Sequence, residues 1–478
     1  MNIKRIISSL LIAAEMFALT SCGLISVGHV DGVPDGSSHG DAPTHEKTET
    51  AEYLPDDTSV TGRKHAEDAL GSIGEYDFDG EIVFVAAPED SKLFADDLAE
   101  TEDRLTFERN SFVEEKLSVK LVVNGMQENE MREWLKREDK AGADEIDLMI
   151  IPSESMAKFA ADKTLADLST VPNFSSELPF IDGRSAEGSS DGKEVYGVSG
   201  YASYAPADYS AVYFGKKLLP ADELYSLVKS GGWTWDKMLA YADAADGSIA
   251  TPSSQSTLMD TVFCTSGKKY LAKNGGAPTA AFSYDSLSEI YSIFVELNER
   301  GIKTSSYSAA SEFIDGQTSF LIHKLAALPK IADSAADFGV LPLPKTDEGG
   351  EYVSPAPRDY SMFAVPKDTK NKERSVAVIL ALNASSEIIR DGYVADVFAK
   401  YLRDEQSADM LDLILTTAKT DAAYTLGAVY PEIAAATYDF VYKNRAADEK
   451  TFKKQYSSAQ TAMKKALEKA KKAIDKVK

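Results

Sequence analysis

Alternating apolar strands and amphipathic helices after residue 80 constrain the fold of this chain more than any other feature. The pattern predicts strands over Glu81–Ala86, Val119–Val123 and Ile146–Ile151, with helices over Glu102–Leu117 and Glu128–Lys140 between them. A β-α-β-α-β order with short connections favours parallel strands joined by right-handed crossovers. The third strand, IDLMII, shows no alternation of apolar and polar residues, which is typical of a central strand with both faces covered. We therefore expect an α/β fold.

The residues directly after the predicted central strand are candidate ligand contacts. In parallel sheets of this kind, ligands bind in the crevice beyond the carboxyl ends of the strands. Ser153 and Glu154 occupy that position. A carboxylate there can accept hydrogen bonds from two hydroxyl groups, whereas the alternative is a helix N-cap that serves only the fold.

A second set of elements begins near residue 195, and the helical positions carry apolar residues at three- and four-residue spacing. The predicted strands are 195–199, 211–214, 318–322, 338–341 and 361–365, and the predicted helices are 222–230, 235–246, 255–266 and 285–299. The chain beyond residue 366 is predicted to be mostly helical. Gly349-Gly350 and the pair Pro355 and Pro357 interrupt the chain between two strands, which indicates a crossing between two halves.

Composition excludes several classes of function. The net charge of −25 argues against a nucleic-acid-binding surface. Two cysteines cannot form a disulfide scaffold, and we expect Cys264 to be a buried, unreactive thiol. Four of the five histidines precede residue 66, so only His323 lies in the body of the chain. A site that needs several histidines is therefore excluded, and we expect no metal and no cofactor. The chain also lacks the G-x-x-x-x-G-K-[ST] motif of ATP-hydrolysing proteins.

The N-terminus predicts export and lipid attachment. Lys4 and Arg5 precede a mostly apolar stretch that ends in Leu19-Thr20-Ser21-Cys22, and this resembles a bacterial lipobox. We expect a signal peptide over residues 1–21, acyl chains such as palmitate on Cys22, and a protein anchored to the outer face of the cytoplasmic membrane. An ordinary secretory signal is the alternative. The polar residues 22–75 are predicted to be a disordered tether.

Six motifs resemble, in the same order, passages of family 1 of the extracellular solute-binding proteins, which serve ATP-driven importers. They are Met156–Leu168 (MAKFAADKTLADL), Gly232–Met238 (GWTWDKM), Phe313–Phe320 (FIDGQTSF), Phe338–Lys345 (FGVLPLPK), Phe363–Lys367 (FAVPK) and Arg403–Leu415 (RDEQSADMLDLIL). The best-known ligands of this family are sugars and oligosaccharides.

The resemblance implies a two-lobed periplasmic-binding-protein type II fold, similar to that of maltose-binding proteins, in which each lobe has a mixed or parallel sheet flanked by helices. The expected lobes are 76–207 with 356–404 and 208–355 with 405–478, joined by hinge crossings near 205–212, 352–358 and 400–408. It further implies a monomer, not an enzyme, that holds a small solute between its lobes and delivers it to ABC permease subunits and their ATPase. An extracellular glycan-acting enzyme, which can use paired carboxylates without histidine, and a surface adhesin are the alternatives.

Aromatic residues near the first crossing are further ligand candidates. Tyr201, Tyr204 and Tyr209 cluster in the sequence GYASYAPADY, and a tyrosine ring there can stack on a sugar face. We select Tyr204, with packing as the alternative. Trp233 and Trp235 stand at a helix start, capped by Thr234, and are predicted to pack in the core.

The resemblance places three more groups at the ligand. Ser254 and Gln255 correspond to second-lobe contacts of maltose-binding proteins, and His323 falls in a loop that faces ligand in the same relatives. Arg358, Asp359 and Tyr360 enter the returning strand near the hinge. The alternatives are a core histidine and a structural ion pair. From these groups we select Gln255, His323, Arg358 and Tyr360.

The C-terminal segment 450–478 carries ten lysines against one Glu and one Asp. One apolar stripe runs along the predicted helix and consists of Met463, Leu467, Ala470, Ile474 and Val477. We expect this helix to dock on the second lobe with its lysines in solvent. Contact with anionic lipid or with a partner helix is the alternative.

Overall fold

The computed structural model describes residues 58–94, 101–142, 144–191, 194–245, 248–274, 277–299, 303–304, 309–358, 360–443 and 449–477. The predicted signal peptide, Cys22, most of the predicted tether and Asp359 lie outside these ranges.

Helices and strands alternate through most of the described chain. The strands are β1 Glu81–Ala87, β2 Val119–Gly125, β3 Leu148–Pro152, β4 Ile181–Asp182, β5 Ser190–Asp191, β6 Glu194–Val195, β7 Ser199–Gly200, β8 Ser210–Gly215, β9 Ser248–Thr251, β10 Leu271–Asn274, β11 Ala277–Ala280, β12 Lys303–Thr304, β13 Thr318–Lys324, β14 Phe338–Leu341, β15 Ser354–Pro355, β16 Ser361–Ala364 and β17 Ala418–Lys419. The α-helices are α1 Thr58–Leu70, α2 Thr101–Leu117, α3 Glu128–Ala141, α4 Ser153–Ala161, α5 Gly183–Ser189, α6 Ala221–Lys229, α7 Trp235–Ala244, α8 Gln255–Thr265, α9 Tyr284–Glu299, α10 Ala309–Ile314, α11 Leu328–Ala332, α12 Lys372–Ala384, α13 Glu387–Lys400, α14 Glu405–Thr416, α15 Ala422–Val429, α16 Pro431–Ala436, α17 Tyr438–Lys443 and α18 Glu449–Val477.

The first sheet has the order β16-β3-β1-β2. β1 pairs in parallel with β2 and with β3, as the sequence pattern predicts, and β16 returns antiparallel to β3 with Ile151 opposite Met362. Leu148 to Ile151 are fully buried, which explains why this strand is apolar at consecutive positions. The predicted α/β class and the central place of β3 are confirmed.

The second sheet is mixed and has the order β12-β9-β13-β8-β14. β9 runs parallel to β12 and β13, whereas β8 is antiparallel to β13 and β14. Helices α6 to α9 follow the predicted limits closely. The predicted packing role of Trp233 and Trp235 is also confirmed, because both rings are fully buried and their indole N–H groups donate to the Pro342 carbonyl and to Thr265 Oγ1, each at 3.0 Å.

The chain passes between the two sheets three times. It leaves the side of the first sheet after β7 and enters the second at β8, returns between β14 and β16, and crosses again between α13 and α14, which packs on β14. Two helix-flanked sheets joined by three crossings form the two-lobed α/β fold that the resemblance implies. The limits of each lobe stay predictions.

The two halves do not have fully separate cores. One hydrophobic cluster contains Met149 and Ile151 of β3 together with Tyr213 of β8 and Leu321 of β13. Apolar contacts therefore run without interruption from the first sheet to the second.

The structure corrects two expectations about local structure. The predicted tether does not extend to residue 75, because Thr58–Leu70 forms helix α1, which packs on α13 and buries Ala66 completely. The predicted strand 195–199 is wrong as well. Its ends belong to two separate two-stranded ribbons, in which Val195 pairs with Ser190 and Ser199 pairs with Asp182.

The C-terminal helix α18 docks as expected. Phe452, Tyr456, Met463 and Ala470 are buried in the hydrophobic cluster that includes the second-sheet residue Ile249. Within the described part of the chain, no helix is both long enough and apolar enough to cross a membrane. Cys264 is buried and forms no disulfide within the described residues, and burial raises the pKa of its thiol well above the usual range, in agreement with the expected unreactive role.

Gly200 is expected to tolerate no side chain. A Cβ atom there would overlap the Phe180 carbonyl oxygen and Asn383 Oδ1, whereas a Cβ at Gly215 would meet only Leu218 Cδ1 at 3.8 Å. We predict that Gly200→Ala lowers the free energy of unfolding in urea by about 1–3 kcal/mol, because the backbone must shift. Gly215→Ala is the matched control and should change it by less than about 0.5 kcal/mol. Equal losses in both variants would contradict this packing.

Candidate functional site

A cavity of about 430 Å³ opens at the carboxyl edge of the first sheet. β1 and β3 end at this edge, and the antiparallel β16 begins there, so the segments next to all three strands meet. The cavity size lies within the range of small-molecule sites. The lining residues are Pro88, Asp90, Ser91, Lys92, Leu93, Glu102, Asp103, Thr106, Arg109, Pro152, Tyr201, Ala202, Ser203, Tyr204, Ala205, Pro206, Asp208, Pro357, Tyr360, Ser361 and Ile389.

The segment that leads from the first sheet to the second closes one side of the cavity. It consists of two short 3-10 helices, Tyr201–Ser203 and Pro206–Asp208. The Ala202 N–H donates to Asn383 Oδ1 at 3.1 Å, and the Ala207 N–H donates to Glu102 Oε1 at 3.0 Å. The cavity is therefore bounded by loops of the first sheet and by a crossing segment.

Four carboxylates and two cationic groups line the cavity. The carboxylates belong to Asp90, Glu102, Asp103 and Asp208, and the cations are Lys92 and Arg109. Arg109 is buried, and its guanidinium donates to the Leu93 carbonyl at 2.9 Å. The cavity thus carries a formal excess of negative charge, which favours a neutral or cationic solute over an anion.

Glu102 is a half-buried carboxylate of the cavity wall. Burial raises its pKa, and the hydrogen bond from the Ala207 N–H opposes that shift. Burial likewise lowers the pKa of Arg109 to about 9, so this residue keeps its positive charge at neutral pH. Ser91 Oγ is shielded from solvent and has no hydrogen-bond partner among the described residues. A buried polar atom without a partner costs stability, so a ligand hydroxyl at this position would restore a hydrogen bond.

Three tyrosines contribute ring surface. Tyr201 is half-buried in the wall of the cavity, whereas Tyr204 and Tyr360 are buried. The Tyr204 hydroxyl lies 2.9 Å from Ser199 Oγ and donates to Asp182 Oδ2 at 3.2 Å. The packing alternative is therefore realised for the polar end of Tyr204, and Tyr201 presents the more accessible ring.

The two residues that were selected after β3 do not line this cavity. Ser153 is buried at the start of α4, where its Oγ donates to the Arg358 carbonyl at 2.8 Å and its N–H donates to the Tyr360 carbonyl at 2.9 Å. Glu154 is exposed on the first turn of α4. The hydroxyl of Ser153 thus joins β3 to the returning chain, and contact of either residue with a solute stays a prediction.

Arg358 connects the returning chain to the second half of the molecule. Its guanidinium lies 2.9 Å from Asp260 Oδ2 on α8 and stacks over the rings of Tyr424 and Tyr438 at 4.5 and 5.0 Å. This is the structural ion pair that the sequence left open as the alternative. Tyr360, two residues further on, does line the cavity, although its hydroxyl lies 3.0 Å from Thr425 Oγ1.

The remaining candidates lie around the second sheet. Ser254 caps α8, because its Oγ accepts from the Thr257 N–H at 3.3 Å. Gln255 begins the same helix, and its side chain is outside the described part of the structure. His323 lies near the end of β13, half-buried, with Nδ1 at 3.3 Å from the Lys324 carbonyl oxygen. Neighbouring Lys324 contacts the cavity residue Asp208 at 2.8 Å, but His323 itself is not in the cavity lining.

The sequence analysis missed the charged groups after β1 and at the start of α2. Pro88 to Lys92 directly follow β1, so the rule that led to Ser153 would have named Asp90 and Lys92 if it had been applied to this strand too. Glu102 and Asp103 in the first turn of α2 have an ordinary explanation in the helix dipole, and no pattern in the sequence distinguishes them.

A larger cavity, of about 820 Å³, lies elsewhere and fits the rule less well. Its lining includes Leu165 and Ala166, which pair with Pro366 and Val365 beyond the end of β16. That position is at the amino end of β3, opposite to the edge where parallel strands bind ligands. We therefore assign the smaller cavity as the candidate site.

A family model for bacterial extracellular solute-binding proteins matches residues 109–396, more than half of the 478 residues. The chain belongs to this family. The matched region includes β2, β3, β16 and the second sheet. Members of the family are binding proteins that act outside the cytoplasm. A search of curated proteins gives no match.

Solved structures of solute-binding proteins are similar over most of the chain. One is the cyclic alpha-maltosyl-1,6-maltose binding protein of Arthrobacter globiformis, at 15% identity and TM-score 0.48, covering 84% of this chain and 99% of that one. Another is the galacto-N-biose-/lacto-N-biose I-binding protein of the ABC transporter of Bifidobacterium longum, at 12% identity and TM-score 0.46, covering 81% and 98%. A third is the maltose-binding periplasmic protein of Listeria monocytogenes, at 14% identity and TM-score 0.45, covering 83% and 98%.

We predict that His323→Gln reduces the loss of stability in acid. Burial lowers the pKa of His323 below 6.5, so the unfolded chain takes up this proton more readily than the folded one. The stability that the neutral imidazole contributes is present above pH 6.5 and is lost as pH falls through the lower folded pKa. Urea unfolding at pH 8 and pH 5 measures the effect. Equal pH dependence in both proteins would show that His323 titrates as it does in water.

Proposed function

We propose that this solute-binding protein captures a small neutral solute rich in hydroxyl groups, most simply a sugar or oligosaccharide, in the cavity at the carboxyl edge of the first sheet. The carrying observation is the combination of carboxylates and a half-buried tyrosine ring around one cavity. Carboxylate oxygens accept hydrogen bonds from hydroxyls, and an aromatic face covers the apolar side of a sugar ring.

The charge of the cavity supports this ligand class. Glu102, Asp103, Asp90 and Asp208 outnumber Lys92 and Arg109, and Arg109 is already occupied by the Leu93 carbonyl. An anionic solute would meet repulsion here, whereas hydroxyl groups have acceptors available. A cationic solute such as a polyamine is the outcome that the binding test must separate from a sugar.

We propose further that the protein releases its solute unchanged to an ABC permease and its ATPase, and that acyl chains on Cys22 hold it at the membrane. Family membership supports delivery of a solute, and the sequence Leu19-Thr20-Ser21-Cys22 supports the anchor. On this account the protein works as a monomer, and neither the glycan-acting enzyme nor the adhesin is needed to explain the cavity.

The full chain in detergent should be screened by thermal denaturation against maltose, maltotetraose, galactose, lactose, spermidine and a tripeptide. We expect at least one sugar to raise the melting temperature, since a ligand that binds only the folded state stabilises it. Chromatography should recover that sugar unchanged. Stabilisation by spermidine or peptide alone, hydrolysis of a glycan, or no response to any of the six would contradict the proposal.

We predict that Glu102→Gln weakens sugar binding about tenfold or more by calorimetry, because a hydrogen bond to a charged acceptor contributes roughly 1.5–3 kcal/mol. The melting temperature of the free variant at pH 7 should not fall. Burial raises the pKa of Glu102 in the folded protein above its usual 4.5. The stability that its protonated form contributes is therefore lost as pH rises through this raised pKa, so at pH 7 the partly buried charge destabilises the fold. A neutral glutamine does not carry that charge.

Glu154→Gln is the matched control for this prediction. Glu154 is an exposed carboxylate on α4 that does not line the cavity, so the affinity should stay within twofold. The opposite result, in which Glu154→Gln loses binding and Glu102→Gln keeps it, would favour the site selected from the sequence over the cavity.

We predict that Cys22→Ser abolishes incorporation of labelled palmitate and releases the protein from the membrane fraction into the medium. The physical reason is that each acyl methylene contributes about 0.8 kcal/mol of membrane affinity. A variant that stays bound to membranes after this change would contradict the proposed anchor.

A further inference from the structure

Helix α1 lies against helix α13 and presents a histidine to it. Ala66 of α1 is fully buried, and the neighbouring His65 is half exposed. His65 Nδ1 lies 2.7 Å from Asp391 Oδ2 on α13. The packing of α1 thus brings an imidazole to a helix that carries several acidic residues.

Glu387 stands beside this pair. Glu387 and Asp391 are four residues apart on α13, so their side chains project from the same helical face. One potential ligand atom from each of His65, Glu387 and Asp391 can be chosen so that all three lie within 4.8 Å of one another. Both carboxylates are largely shielded from solvent, with side chains 14% and 15% exposed.

One arginine partly balances the negative charge. Arg390 Nη2 lies against Glu387 and 3.1 Å from Asp391 Oδ1, and its Nε lies 3.3 Å from Asp412 Oδ1. Asp391 thus contacts Arg390 through Oδ1 and His65 through Oδ2. With a neutral imidazole, the formal charge of the three carboxylates and one guanidinium is −2.

The shared arginine leaves negative charge in this cluster uncompensated. Glu387 Oε2 is shielded from solvent and lies against the Arg390 guanidinium in an ion pair. Because Arg390 also pairs with Asp391 and Asp412, a net negative charge remains that a divalent cation would neutralise. Arg390 holds Asp391 from the side away from His65, as the outer partners of metal-binding carboxylates do.

We propose that His65, Glu387 and Asp391 bind a divalent transition-metal ion, with Zn²⁺ as the expected occupant. One imidazole nitrogen and two carboxylate oxygens are ligands that Zn²⁺ accepts, and the half-exposed His65 leaves a fourth position open to water. Mg²⁺ and Ca²⁺ prefer oxygen ligands alone. The ion would join α1 to α13. This site needs one histidine only, and it is independent of the proposed solute cavity.

The test uses the full chain in detergent, without an affinity tag, after dialysis against EDTA. We expect calorimetry with ZnCl₂ to show binding that His65→Gln and Asp391→Asn each weaken at least tenfold. His45→Gln is the matched control, because this histidine lies in the N-terminal segment outside the described residues, and it should leave that affinity unchanged. MgCl₂ and CaCl₂ at the same concentrations should give no binding at this site.

Hydrogen exchange separates a metal site from a structural role of His65. Zn²⁺ should slow amide exchange in residues 58–70 of the wild-type chain and of His45→Gln, but not of His65→Gln, with melting temperatures in EDTA as the reference for folding. No zinc binding by the wild type, unchanged affinity in His65→Gln, loss of affinity in His45→Gln, or an equal response to Mg²⁺ would each overturn the proposal.

Discussion

The antiparallel pairing of β16 with β3 is the interaction on which the rest of the structure depends. It places Met362 opposite Ile151, although all strands of the second sheet lie between these two residues in the sequence. The pairing therefore fixes where the chain returns to the first sheet. Because β1 and β3 are parallel and β16 starts where β3 ends, the segments that adjoin these strands must meet at one edge. The crossing segment 201–208 then covers that edge. The candidate cavity is therefore a consequence of strand direction and connectivity, and its side chains come from parts of the chain that are distant in sequence.

Hydrogen bonding distinguishes the groups that serve the fold from those that can serve a solute. Ser153 and Ser254 looked like ligand contacts, yet their hydroxyls are used by the backbone next to them. Ser91, in contrast, has a buried hydroxyl without a partner in the described structure, and the half-buried carboxyl of Glu102 has a raised pKa. Both features cost stability in the free protein. Such destabilising groups are expected in a binding site, because a bound ligand can supply the missing hydrogen bonds.

Local pattern was enough to predict the parallel strands of the first sheet, most helices of the second half and the buried indoles, since these follow from the spacing of apolar residues. It failed where tertiary packing decides. The residues of α1 are mostly polar, so the sequence pattern predicted a tether. They form a helix that packs on α13 and buries Ala66 completely. The pairing of β16 with β3 depends on contacts between residues that are far apart in sequence. The sequence pattern therefore predicted the strand, but not its position at the edge of the first sheet. Glu102 was predicted correctly as helical. Because an acidic residue in the first turn is explained by the helix dipole, the sequence offered no reason to place it in a cavity.

The most direct test of the central claim is hydrogen–deuterium exchange with and without the sugar that stabilises the protein most. If the solute binds at the carboxyl edge of the first sheet, amides in residues 88–93 and 201–208 should exchange more slowly in its presence. Residues 188–190 and 426–430, beside the larger cavity, should be unaffected. Protection confined to the larger cavity, or unchanged exchange at the carboxyl edge under saturating sugar, would contradict the account.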